Sequence, residues 1–294
     1  MNRSAPNLQT GPDLAAALKA IERRYRSAAA LAMDPISIPK TFADPWDQEA
    51  AAWVAAHLAY GRVAPMLRAI QTLLAPLGPR PALTLRERSE QDLKYLLQEQ
   101  LKSWRWRFHT PDDMIHWLLA WKRLDAESSQ GGLAPHLVPK DGQSADACLS
   151  ALVQRLRQEL PATHGIRFLL PDPLEGAACK RWRLFLRWMV RKAWPDLGLW
   201  PTYAPGDLII PLDTHVARIA RHLALTDRRT QDAAQARQIT DALRHLAPED
   251  PLRFDFAISH LGILGDCLTT PRAASCASCP LSPHCVIGRS IPLA

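Results

Sequence analysis

The sequence predicts an all-α protein in two domains. Apolar residues recur at three- and four-residue spacing along most of the chain, and only one short run looks like a strand. The length of 294 residues is also more than one small domain needs and too little for three. A hydrophobic fraction of 47% is that of a globular chain rather than a disordered one. No run of about 18 apolar residues offers a membrane span. The start, Met1 to Asp13, is polar and has no apolar signal core, so a soluble, cytoplasmic protein is expected.

The helices follow from periodicity and punctuation. Asp13 to Met33 carries Leu14, Leu18, Ile21 and Tyr25 on one face. Pro35 and Pro39 then break the chain. Helices are expected over residues 47–60, 64–75, 89–101 and 112–124, with Gly61 and Pro76 as stops. Thr110-Pro-Asp-Asp113 reads as a helix start, with a hydroxyl cap, a proline in the first turn and acids beside it. Residues 128–142, rich in Ser, Gly and Pro, read as a surface loop. Further helices are expected over 144–160, 176–193, 214–223, 233–246 and 251–264. Asp207 to Leu212 is strand-like but too short to found a sheet.

Four cysteines crowd the end with the spacing Cys267-x8-Cys276-x2-Cys279-x5-Cys285. A protein that is not exported keeps its thiols reduced, so such a group reads as metal ligands before disulfides. Four converging thiolates repel one another without a cation between them, and soft sulfur favours zinc or iron–sulfur. One close pair flanked by two single cysteines suits a [4Fe-4S] cluster held at four corners. Zinc and unligated core thiols stay open as alternatives.

A formal charge of +7 suits a polyanionic partner, duplex DNA above all. In the helix after Cys179, residues Lys180, Arg183, Arg187 and Arg191 fall on one face, with Arg181 beside them. Trp104-Arg-Trp-Arg-Phe108 interleaves rings and cations, as nucleic-acid surfaces and ordinary aromatic cores with charged faces both do. Asp213, immediately before an apolar-periodic helix, reads as its N-cap.

These motifs resemble two families. The cysteine loop is similar to the C-x6-C-x2-C-x5-C iron–sulfur loop of endonuclease III and related helix-hairpin-helix DNA glycosylases, with a first interval two residues longer. Leu174-Glu-Gly-Ala-Ala-Cys-Lys180 resembles their hairpin L-P-G-V-G-x-K, and Ile210-Pro-Leu-Asp-Thr-His-Val-Ala-Arg-Ile219 resembles the V-D-T-H-V-x-R segment with the catalytic aspartate. The phrases Asp34-Pro-Ile-Ser-Ile-Pro39, Leu58-Ala-Tyr-Gly-Arg62 and Pro211-Leu-Asp-Thr-His-Val216 look like a bacterial family of unknown function, over about residues 20–266.

The glycosylase likeness implies two helical lobes flanking a cleft. Residues 1–44 would join the C-terminal lobe, 45–175 would form a helical barrel, 170–193 the hairpin, and 194–294 the C-terminal lobe with its cluster loop at 267–285. It implies Lys180 as nucleophile and Asp213 as catalytic carboxylate. Gly176, Ala178, Arg181, Arg183 and Arg187 would contact the DNA backbone, and Tyr60 or Arg62 would fill the gap left by an extruded base. Between Lys180 and Asp213 the excess length, residues 194–206, is expected to loop out. The implied activity is a base-excision glycosylase with abasic-site lyase chemistry; the alternative is a DNA-binding protein of the same fold without catalysis.

Overall fold

The computed structural model describes residues 11–140, 142–270 and 272–290. The polar start read above lies largely outside them. In chain order the helices are α1 (Pro12–Tyr25), α2 (Ala28–Ala32), α3 (Pro45–His57), α4 (Val63–Leu74), α5 (Pro81–Glu87), α6 (Glu90–Gln100), α7 (Pro111–Glu127) and α8 (Ala134–Leu137). They continue with α9 (Ala145–Glu159), α10 (His164–Leu169), α11 (Lys180–Val190), α12 (Thr214–His222), α13 (Ala233–Leu246), α14 (Asp255–Ile263) and α15 (Ala273–Ala277). Among the described residues no strand forms, only an isolated bridge between Trp106 and His109.

Short polar side chains start many of these helices by accepting from free N–H groups of the first turn. Asp44, Ser89, Ser144, Thr163, Asp213 and Asp232 do so at α3, α6, α9, α10, α12 and α13. At α7 Thr110 and Asp113 form the reciprocal box, each side chain accepting from the other's backbone N–H. The expected loop at 128–142 contains one helical turn, α8, because Leu133 and Leu137 are buried there. The strand-like run has a different outlet for its backbone: Ile210 N donates to the Thr240 hydroxyl of α13 at 3.0 Å. Leu208, Ile210, Pro211 and Leu212 are buried without a sheet.

The chain divides into two compact units. The first takes the described residues up to Ala30, Ala178–Arg183 and those from Ala204 onward; the second takes Leu31–Ala177 and Leu184–Tyr203. Residues 31–44 and 194–203, expected with the C-terminal lobe, thus belong to the second unit.

Within the second unit α3 is buried from Glu49 to His57, and its alanines allow neighbours to approach on every side. Trp53 stacks on Trp117 of α7 with centroids 4.3 Å apart, and its indole N–H donates to the Trp117 carbonyl at 2.9 Å. Phe185 of α11 meets Trp53 edge-on at 5.8 Å. The segment after α11, expected to loop out, is folded in. Gly198 N and Trp200 N donate to the carbonyls of Trp188 and Met189, and Trp200 is buried. This turn carries Asp196 beneath α11, where it meets the guanidinium groups of Arg187 and Arg191, all three side chains almost fully buried.

Removing one member of a buried ion pair leaves an uncompensated charge, at a cost of roughly 3–5 kcal/mol. Asp196→Ala, which strips two arginines at once, should therefore lower the unfolding free energy by at least about 3 kcal/mol. Urea denaturation checks this; a loss below about 1 kcal/mol would show that the arginines find other partners.

Candidate functional site

Two segments far apart in sequence meet in the first unit. Lys180 opens α11 and Asp213 caps α12, and Lys180 Nζ stands 3.7 Å from Asp213 Oδ2. The other carboxylate oxygen, Oδ1, accepts from Val216 N at 2.8 Å, so the helix end fixes the group. Both side chains are partly open to solvent, 30% for Lys180 and 17% for Asp213. An amine and a rigid carboxylate in this arrangement can supply a nucleophile and an anion to one reacting centre.

The backbone before Lys180 is set by glycine and by one strained residue. Gly176 has φ +90 and its N–H donates to the Pro173 carbonyl, a turn that a side chain would oppose. Buried Asp172 anchors this turn: it accepts from Leu174 N, from the Ser150 hydroxyl and from the Gln154 amide. Sequence reading passed over Asp172. The left-handed residue is Cys179, with φ +51, and not Ala178, where a second glycine was expected.

The cationic face of α11 requires correction. Arg181, Arg183, Arg187 and Arg191 are all buried. Arg183 Nε donates to the Ala178 carbonyl at 2.9 Å, and Asp196 engages Arg187 and Arg191. Helical spacing places these residues on one face correctly, but Asp196 supplies the counter-charge that lets the face turn inward. Arg181, Arg183 and Arg187 are thus buried where a DNA-facing stripe was expected, and only Lys180 of the stripe keeps substantial exposure.

His215, beside Asp213, packs rather than reacts. An added Cβ on Gly262 would lie 2.4 Å from His215 Nδ1, so α14 approaches α12 closely because residue 262 is bare. Burial pulls the His215 imidazole below its usual range, with Arg218 and Lys180 adding to the effect against Asp213.

At the opposite end of α12 the four cysteines share one cavity of about 40 Å³, walled by apolar residues such as Ile219, Leu223 and Leu261. Arg218 Nη2 donates to the Cys267 carbonyl at 2.6 Å and Val286 N donates to the His222 carbonyl at 2.7 Å, so α12 holds both ends of the loop. Burial pushes the thiols of Cys267, Cys276 and Cys279 up, and neighbouring cysteines push each of them in the same direction. Among the described residues no three His, Cys, Asp or Glu side chains close tightly enough to hold one metal ion.

In the second unit Tyr60 and Arg62 occupy the α3–α4 loop. Tyr60 is half-buried in a ring cluster with Trp106, Phe108, His109 and Phe168, and Arg62 is exposed. Gly61, with φ +90, lets Trp106 and Arg107 close on the loop: a Cβ there would lie 3.0 Å from the indole. The run Trp104 to Phe108 resolves into both of its readings. Trp104 and Trp106 are core, while Phe108 and its partner Phe168 stand 39% and 37% exposed. Phe108 and Phe168 were missed because exposure of one ring in an aromatic run has no signal in spacing.

The features define an all-helical chain with a lysine–carboxylate pair, a four-cysteine cavity and a cation-flanked aromatic loop. The model of a family described as a protein of unknown function (DUF2400) matches residues 34–264, and the chain belongs to that family. The matched span includes Tyr60, Arg62, Lys180 and Asp213 and stops short of Cys267. No curated protein and no solved structure matches the chain.

Proposed function

We propose that this protein acts on duplex DNA as a base-excision glycosylase with abasic-site lyase activity, within a helix-hairpin-helix glycosylase architecture. One observation carries the reading. Lys180 and Asp213, the residues that the likeness to endonuclease III names as nucleophile and carboxylate, stand 3.7 Å apart although a long insertion separates them. Gly176 and the backbone of Ala178 would face a phosphate, while Arg62, Tyr60 and exposed Phe108 would occupy the gap left by an extruded base. In the cell such an enzyme would work in the cytoplasm on the nucleoid.

The chemistry follows from the pair. Asp213, held in place by Val216 N, stabilises positive charge on the sugar as the glycosidic bond breaks. Lys180 Nζ, as the free amine, bonds to C1′ as the base leaves with its bonding electrons. The amine then loses a proton and the ring opens to an iminium. Loss of a proton from C2′ expels the 3′ phosphate, and water later releases the lysine.

The four cysteines would hold a [4Fe-4S] cluster. Four thiols around one apolar cavity, with Arg218 and Arg272 beside it to offset negative charge, fit that group. When bound, the cluster would brace the loop against α12 and take no part in the sugar chemistry.

Strand scission at an abasic site in a duplex tests the activity. The native protein should cut, Lys180→Gln should not, and Asp213→Asn, which keeps the cap acceptor, should slow cutting by about 100-fold or more. Duplex binding with no scission and no base release on any damaged duplex would instead make this a non-catalytic DNA-binding protein. Protein purified without oxygen should contain about four irons and four acid-labile sulfides per chain. Stoichiometric zinc with no iron would overturn the cluster.

A further inference from the structure

The second unit contains, by itself, a cleft of about 550 Å³ that the proposed DNA chemistry does not use. That volume is within the range of small-molecule sites, roughly 300–1,000 Å³. Trp46 and Trp200 supply aromatic walls, Pro135 and Pro139 line another side, Lys140 lies among the lining residues, and Glu49 is the buried acid. Most of the lining is apolar, so the two charged groups decide what the cleft can recognise.

Glu49 is the unusual member. It lies within α3 and is 1% exposed, yet no ion pair to it occurs among the described residues. Its Oε1 accepts from Leu133 N at 3.0 Å and its Oε2 from Trp200 Nε1 at 2.8 Å. A carboxylate has about four acceptor positions, so each oxygen retains one. Arg86, the cation nearest in effect, is committed elsewhere: it forks onto Asp125 with bonds of 2.8 and 2.6 Å. Its guanidinium also lies 4.9 Å from the centre of the Trp46 ring, so this ring already receives one planar cation. Burial pushes the Glu49 carboxyl up to about 7, the direction expected of a desolvated acid without a counter-ion.

The local backbone is shaped to bring these groups together. Gly132 has φ +75, and a Cβ there would lie 2.6 Å from the Trp46 ring and 3.1 Å from both Glu49 oxygens. Only a bare residue lets the 131–133 turn close over the acid while Leu133 N reaches it. Folding thus keeps a buried carboxyl with unused acceptor positions between two indoles, and its backbone and indole donors each take a separate oxygen, which a glutamine with one acceptor oxygen would not supply.

We propose that this cleft binds a small planar cation of the amidinium or guanidinium class, its paired N–H groups on Glu49 and its plane against Trp46 and Trp200. Two parallel N–H donors match the two remaining acceptor positions, and a delocalised cation gains from indole faces where an ammonium gains less. Lys140, the other charged lining residue, is itself a cation and adds nothing to the binding of this one.

Titration of the full-length protein with benzamidine, followed by calorimetry, tests this directly, with neutral benzamide and anionic benzoate alongside. Benzamidine should bind saturably at one site and benzamide at least about tenfold more weakly, as loss of a charge-assisted bond implies. Glu49→Gln should weaken benzamidine by a similar factor. Trp46→Ala, a partly exposed position whose change spares the core, should weaken it several-fold; Lys140→Ala should leave it equal or tighter. Lys180→Gln should have no effect, which separates this site from the proposed DNA chemistry. No saturable benzamidine binding, equal binding of benzamide, or unchanged affinity in both Glu49→Gln and Trp46→Ala would overturn the proposal. Benzoate binding more tightly than benzamidine would assign the cleft to Lys140 and overturn it as well.

Discussion

Helix α12 is the constraint on which the first unit is built. Its nine residues, about 13 Å in length, have Asp213 as the N-cap at one end and the cysteine cavity at the other. The cap bond to Val216 N fixes the carboxylate that faces Lys180. Arg218 and the His222 carbonyl tie the same helix to Cys267 and Val286. The helix can hold both because α14 supports it from behind, with Gly262 bare against His215. Asp266, just beyond α14, adds a further tie by accepting from the Tyr25 hydroxyl of α1 at 2.5 Å and pairing with Arg24. One short helix thus links the loop of four thiols to the pair of Lys180 and Asp213.

The second unit is organised by where charge is buried. Arg187 and Arg191 enter the interior because the turn at 194–200 returns Asp196 beneath α11. Taking these ions from water is costly, and only shared partners and good geometry offset it. Glu49 shows the opposite solution, a buried acid held by neutral donors alone. The contrast distinguishes a structural charge from one with unused capacity: Asp196 is saturated by guanidinium groups, whereas Glu49 is not.

Local chemistry made much of this legible. The capping box at Thr110 and Asp113, the break at Pro35, the span of α13 and the cap at Asp213 follow from side chains acting on their own backbone, which spacing records. What escaped were effects of distant partners. The arginines of α11 read as a DNA-facing stripe because nothing near them in sequence marks Asp196 as the counter-charge of Arg187 and Arg191. The 194–206 segment read as a loop because its prolines and glycines signal turns, while Trp200 reaches Glu49 across 151 positions. Phe108 and Phe168 became visible only once the α6–α7 connection and α10 were brought together, at 4.8 Å between ring centres.

In the lyase reaction proposed above, Lys180 is the group that would bond to DNA. Borohydride reduction of the full-length protein on a duplex with an abasic site, followed by mass mapping of the adduct, measures this most directly. The expected result is a stable adduct whose mass lies on the peptide containing Lys180, absent in Lys180→Gln. An adduct on another residue, trapping undiminished in that variant, or no adduct from the native protein would contradict it.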